Sequence, residues 1–172
     1  MATTMKLIDS YTVPSVQTTI NFNNISNSYT DLMLLVSGRS TSATDVGNIV
    51  IAVTLNGSIS SGFSAKRLYG GPTTGSDGTS GGGTTWGVQV AAGNTTANTF
   101  SNSKIYIPNY AGNTAKSAFM DGVGLSQTSS WETDLIAWYS SNTSPISSIS
   151  LSPSGGQWVA NSTFYLYGIK NS

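Results

Sequence analysis

The sequence predicts an all-β fold: a single antiparallel β-sandwich with jelly-roll-like connections. Thr, Val, Ile, Tyr and Trp, which favour strands, are abundant, whereas good helix formers are scarce. Short runs of alternating apolar and polar residues recur along the chain, with Gly, Asn, Ser and Pro between them. The last run, residues 162–169, has large side chains on both faces. We therefore expect it to lie inside a sheet and to pair with strands made much earlier in the chain.

The chain has 172 residues, enough for one domain with a proper core. We expect residues 1–172 to form that single domain, with residues 1–10 as a short N-terminal arm. Charged residues are only 8% of the chain and the net charge is +0, whereas aromatic residues are 10%. Disordered chains combine high net charge with few aromatic residues, so this composition indicates a folded protein.

Residue types that are missing from the chain exclude several classes of function. There is no cysteine and no histidine, which removes disulfides, thiolate nucleophiles, Ser-His and Cys-His triads and the usual zinc sites. The basic residues are scattered and form no stripe suited to nucleic acid. No apolar run resembles a signal peptide or a membrane span. We expect a soluble protein made in the cytoplasm, with no cofactor and no nucleic-acid or membrane partner.

The first half of the chain predicts four strands. Residues 16–22 alternate and predict a half-buried strand, and residues 29–37, apolar on both faces at their centre, predict a central one. Residues 49–55 form the most β-prone run of the chain. The Asn-Gly pair at 56–57 favours a hairpin turn because both positions of such a turn need positive φ. Residues 58–69 are then expected to return beside the preceding strand.

A low-complexity segment rich in Gly, Ser and Thr, residues 70–84, is predicted to be a long mobile loop within the domain. Alternation then resumes and predicts further strands at residues 86–90, 99–108, 115–125, 131–140, 146–151 and 158–169. In the second of these strands, Ile105 and Ile107 should share one face. Many short strands with turn residues between them are typical of a sandwich or jelly roll.

Glu132 and Asp134 are the closest pair of carboxylates, and paired carboxylates are the catalytic device that the composition leaves open. On a strand they would share one face about 7 Å apart, within the range of glycosidase carboxylates. They alternate with Trp131 and Leu135 as solvent-facing residues do, and we favour that interpretation over catalysis. A calcium site at Asp77 would lack a second acidic ligand in its loop. We expect neither enzyme activity nor a metal site.

The tryptophans are the candidate binding residues. An aromatic ring can stack on the apolar face of a sugar, so these side chains could form a carbohydrate-binding module. Aromatic residues are equally at home in a core or in a subunit interface, and we favour this structural role. The candidate glycan-binding or interface residues are Trp86, Trp131, Trp138 and Trp158, with Tyr139 as a further platform.

Segments across nearly the whole chain resemble a family of small virion proteins of tailed bacteriophages, especially marine and cyanobacterial ones. The matching segments are YTVPSVQTTINF at 11–22, YTDLMLLVSGR at 29–39, KRLYG at 66–70, IYIPNY at 105–110 and STFYLYGIK at 162–170. These are strand and turn sequences without a catalytic signature. The resemblance implies a β-sandwich module that forms trimers and serves as a capsid decoration (cement) protein or as a head or tail fibre component.

Two functions are therefore expected, and a third is kept as an alternative. The leading one is a homotrimeric decoration protein that binds the major capsid protein on the capsid exterior and stabilises the shell. The second is a fibre module that recognises host surface glycans through its aromatic residues, for example Trp158. The third, a glycan-degrading enzyme, rests on Glu132 and Asp134 alone.

Overall fold

The computed structural model describes residues 4–43, 49–57, 63–71, 74–80, 87–126 and 130–170. In this part the chain is all-β and contains no helix. Its strands are β1 (Met5–Thr12), β2 (Ile20–Phe22), β3 (Asp31–Ser37), β4 (Ile51–Leu55), β5 (Phe63–Gly70), β6 (Thr74–Ser80), β7 (Asn102–Ile107), β8 (Lys116–Ser126), β9 (Ser130–Ser140), β10 (Ile149–Pro153) and β11 (Thr163–Ile169).

The strands form two antiparallel sheets. The large sheet has eight strands in the order β1-β11-β3-β7-β8-β9-β5-β6, and the small sheet has three in the order β2-β10-β4. The predicted antiparallel β-sandwich is confirmed. Its division into eight and three strands is less even than the two four-stranded sheets of a regular jelly roll. The small sheet therefore leaves part of the inner face of the large sheet to be covered by loops.

One apolar core fills the space between the sheets. Strands β4 and β10 alternate between buried and half-buried residues, as strands with one face on a core do. Leu34 of β3 and Ile105 and Ile107 of β7 are buried on the inner face of the large sheet, so the predicted shared face of the two isoleucines is confirmed. Trp158 lies in this core with no exposed surface.

The two ends of the chain meet in the large sheet. Strand β11 lies between β1 and β3, which confirms that the C-terminal strand is internal and pairs with early strands. Most of the expected N-terminal arm is edge strand β1, whose register shifts between Leu7 and Asp9. The residues of β1 are mostly exposed, and a strand that buries neither face needs no alternation of apolar and polar residues. The sequence therefore gives no sign of this strand. A shift of this kind and charged residues are usual protections of a sheet edge.

The turn after β4 has the predicted conformation but not the predicted partner. Asn56 and Gly57 both have positive φ, 52° and 70°. However, β4 pairs with β10, and β5 lies in the large sheet between β9 and β6, so the predicted hairpin is wrong. The Asn56 side chain supplies the reason. It donates to Pro145 O (2.9 Å) and accepts from Ser147 N (2.8 Å), which ties the turn to the segment before β10.

The segment predicted as a long loop contains a strand. Within residues 70–84, β6 pairs with β5 along the edge of the large sheet, so the loop prediction is wrong there. Backbone hydrogen bonds make this pairing, and they need no apolar alternation in the sequence. Of the strand predicted at 86–90, residues 87–90 are described, and they form a bridge between Val50 and Gln89 in place of a strand. A Cβ at Gly87 would lie 1.9 Å from Ile51 O, so glycine permits this close approach.

Candidate interaction surface and the ion network behind it

The acidic face of strand β9, which the sequence predicts to face solvent, points toward the inside of the protein. Glu132 and Asp134 point inward and are 7% and 1% exposed, so their predicted solvent-facing position is wrong. The reason lies on the neighbouring strand β5, where Arg67 is also buried. Arg67 Nε lies 2.7 Å from Asp134 Oδ1, and the guanidinium also forms an ion pair with Glu132. A positive charge between the two carboxylates offsets the cost of removing them from water.

The same ion network holds a loop against the sheet. Gln89 donates its backbone N–H to Asp134 Oδ2 at 2.9 Å, and the Arg67 guanidinium lies 4.5 Å from the centre of the Tyr69 ring. A Cβ at Gly124 of β8 would lie 2.2 Å from Gln89 Cβ, so glycine leaves room for this loop. The two carboxylates that resemble a catalytic pair in sequence are thus bound by the Arg67 guanidinium and by a backbone amide of the loop above them. This arrangement suits a structural role.

Because the acidic residues of β9 point inward, its apolar residues point outward. Trp131, Leu135 and Tyr139 are 49%, 49% and 48% exposed. Leu68 of β5 pairs directly with Leu135, and Phe119 of β8 lies on the same side of the sheet, opposite Ala137. These five residues, all exposed, form what we call the outer patch. An antiparallel sheet with one solvated face normally alternates apolar inside with polar outside, so an apolar outer face is unusual.

Apolar side chains continue from the outer patch toward the other edge of the large sheet. Met33 of β3 pairs with Tyr106 of β7 and with Tyr167 of β11, and all three are half-buried on the outer side. Leu7 of β1 pairs with Tyr167 and is 45% exposed. The Tyr106 hydroxyl donates to Asp31 Oδ2 (2.7 Å), and this hydrogen bond raises the pKa of Tyr106 above its usual 10.0. Tyr106 therefore stays neutral on this face.

A shallow depression of about 300 Å³ lies beside the outer patch. Its wall includes the ion pair of Lys104 and Asp121, whose Nζ and Oδ1 atoms are 3.0 Å apart, together with Asn102, Thr133 and Leu135. Trp131 lies two residues before Thr133 on the same side of β9. The depression thus offers amide, hydroxyl and charged groups near an exposed aromatic ring.

The structure separates the four candidate tryptophans. Trp131 is exposed in the outer patch, whereas Trp138 is 6% exposed on the inner face of β9. Trp158 is fully buried, donates Nε1–H to Leu151 O (3.0 Å) and packs edge-on against Phe164. The expectation that Trp158 could bind a glycan is therefore wrong. Trp86 lies outside the described residues.

The remaining site predictions concern metals and membranes. Asp77 lies in β6, opposite Arg67 of β5, and its side chain is outside the described part of the structure. Among the described residues, no group of three or more acidic side chains could hold a metal ion. No helix in the described ranges is long and apolar enough to cross a membrane.

Comparison with known proteins finds no relative of this chain. No protein-family model matches the chain, and no curated protein and no solved structure matches it either.

Proposed function

We propose that this protein is a structural component of a tailed-phage particle, a homotrimeric decoration protein that binds the major capsid protein on the capsid exterior. The observation that carries the proposal is the outer patch: Leu68, Phe119, Trp131, Leu135 and Tyr139 exposed on one sheet face. Large uncovered apolar patches on folded proteins mark interaction surfaces. The resemblance of the sequence to virion proteins points to a phage particle as the assembly in which this surface would bind.

The chemistry of the face supports a role in protein assembly. Trp, Tyr and Phe are enriched in protein interfaces, and charged residues are depleted at interface cores. A chain with 8% charged residues has few charges to desolvate when it assembles. A decoration protein that binds only the assembled shell stabilises it by mass action, by about 2.7 kcal/mol per site when its free concentration is about 100 times Kd.

The copy number of the protein per particle tests this function. Quantitative mass spectrometry of purified virions, with the major capsid protein as internal standard, should give a ratio that matches the capsid lattice. Particles that lack the protein should release their DNA at a lower temperature and keep their host range. A ratio that matches a tail or fibre, or unchanged heat resistance, would contradict a decoration role.

A second candidate function, recognition of host surface glycans, is favoured by the depression beside Trp131. Sugar hydroxyls could exchange hydrogen bonds with Asn102, Asp121 and Thr133, which line it, while a sugar ring stacks on the indole. In this case the protein would belong to a tail or head fibre. The observation specific to this candidate is the combination of polar groups and an exposed aromatic ring on one sheet face.

Substitution of Trp131 distinguishes the glycan function. If it operates, purified protein should bind host lipopolysaccharide, and Trp131→Ala should weaken binding about tenfold or more because the stacking surface is lost. Val16→Ala is the matched control, since Val16 is 51% exposed and lies outside the strands. Equal loss in both variants, or no binding by the unmodified protein, would reject a glycan role.

A further inference from the structure

We infer that the outer face of the large sheet is the surface through which two copies of this chain bind each other. The inference concerns the same face as the proposed function but does not depend on a phage particle. It names the occupant of the outer patch as another copy of this chain, so that contact with the capsid would fall to the N-terminal residues and the exposed loops. Three properties of the face support this occupant: its size, its charge and its similarity to the core-facing side of a sheet.

The face is large enough for a stable interface. The seven strands from β1 to β5 in the sheet order span roughly 29 Å at the usual spacing, and seven residues, the length of β11, extend roughly 24 Å along a strand. Their product is roughly 700 Å², close to the area of about 800 Å² that one partner contributes to a standard specific interface. A short peptide would cover only part of this face, whereas another copy presents a face of the same size.

The charges of the face suit a copy of itself. Lys104 and Asp121 form an ion pair near its middle, and Lys66 is exposed at the β5 end. Both signs are therefore present, and the two charges at the centre already neutralise each other. Two such faces can meet without a large block of like charge, whereas a strongly charged partner would find no complementary field.

The outer face has the side-chain chemistry that sheets use when they pack on each other. In sandwiches, two apolar sheet faces pack about 10 Å apart with their side chains interdigitated. Trp131, Leu135 and Leu68 project from adjacent strands in the same way as core residues do. Trp131 and Tyr139 belong to the residue types, Trp and Tyr, that are enriched among the residues dominating the binding energy of protein interfaces.

Analytical ultracentrifugation of the full chain tests the inference. The unmodified protein should sediment as a dimer or larger closed oligomer and dissociate on dilution. The double variant Leu68→Lys and Tyr139→Lys should raise the dissociation constant by roughly 30-fold or more, because two charges would be buried where two apolar contacts were lost. Both positions are exposed, so the variant should keep the circular dichroism spectrum and melting temperature of a dissociated unmodified chain.

Val16→Lys is the control, since it adds a single lysine at an exposed apolar position outside the strands. It should leave the assembly unchanged. A chain that sediments as a monomer at all soluble concentrations would overturn the inference, and so would an assembly that Val16→Lys dissociates but the double variant does not. The copy number per virion is measured separately and tests the decoration role on the capsid independently of these results.

Discussion

Replacement of Trp158 by Ala should lower the free energy of unfolding by about 3–5 kcal/mol, the range measured for large-to-small changes at buried aromatic residues. The indole has no exposed surface and packs edge-on against Phe164, with ring centres 4.9 Å apart. Its N–H also donates to Leu151 O in the small sheet, and a Cβ at Gly38 would lie 2.6 Å from the ring. The substitution leaves a cavity and removes this hydrogen bond between the indole and the small sheet.

Urea denaturation followed by tryptophan-independent circular dichroism measures this loss. Trp131→Ala is the matched control because it removes the same side chain from an exposed position, where substitutions usually change stability by less than about 0.5 kcal/mol. This comparison is made at a concentration where the chain is monomeric, so that assembly does not contribute. Equal destabilisation by the two variants would contradict the buried position of Trp158.

Asp134→Ala should destabilise the fold by about 3–5 kcal/mol, the cost of removing one partner from a buried ion pair. The carboxylate is 1% exposed, and both of its oxygens are bound, to Arg67 Nε and to Gln89 N. The substitution would remove one carboxylate partner of the Arg67 guanidinium and the carboxylate oxygen that accepts from Gln89 N. The same urea titration gives the free energy, and hydrogen exchange at the Gln89 amide should accelerate.

Two comparisons make this second prediction specific. Removal of all three charges, by Arg67→Met, Glu132→Leu and Asp134→Leu together, should recover most of the lost stability because none of the three buried charges of the network then remains. Asp121→Asn should cost only about 0–1 kcal/mol, since its pair with Lys104 is partly exposed. If the triple variant were less stable than Asp134→Ala, a buried charge left without its partner would not explain the stability lost in Asp134→Ala.

The outer patch and the ion network show why the site could not be predicted from the sequence. Alternation in residues 131–140 correctly predicts a strand with two chemically different faces. It does not say which face meets the core, and the usual rule that acidic residues face water gives the wrong answer here. Arg67, 67 residues from Asp134, reverses the assignment because it supplies the positive charge that lets both acids be buried.

Strand pairing likewise separates what neighbouring residues predict from what residues far apart in the chain decide. The positive φ values of Asn56 and Gly57 follow from residue type and were predictable. The partner of β4 was not, because hydrogen bonds from Asn56 to Pro145 and Ser147 attach the turn to a segment far along the chain. Strands β1 and β6 were missed because they lie at the two edges of the large sheet, and backbone pairing there needs no apolar pattern.

The sequence by itself determined the fold class, the internal position of β3 and β11 and most strand locations, because alternation and turn chemistry act over a few residues. Only the tertiary structure decided that Glu132 and Asp134 lie inside, that Trp158 is core and that Trp131 is surface. These outcomes depend on which distant strand supplies a neighbour. Burial is decided by contacts between residues far apart in the chain, and no local pattern contains them.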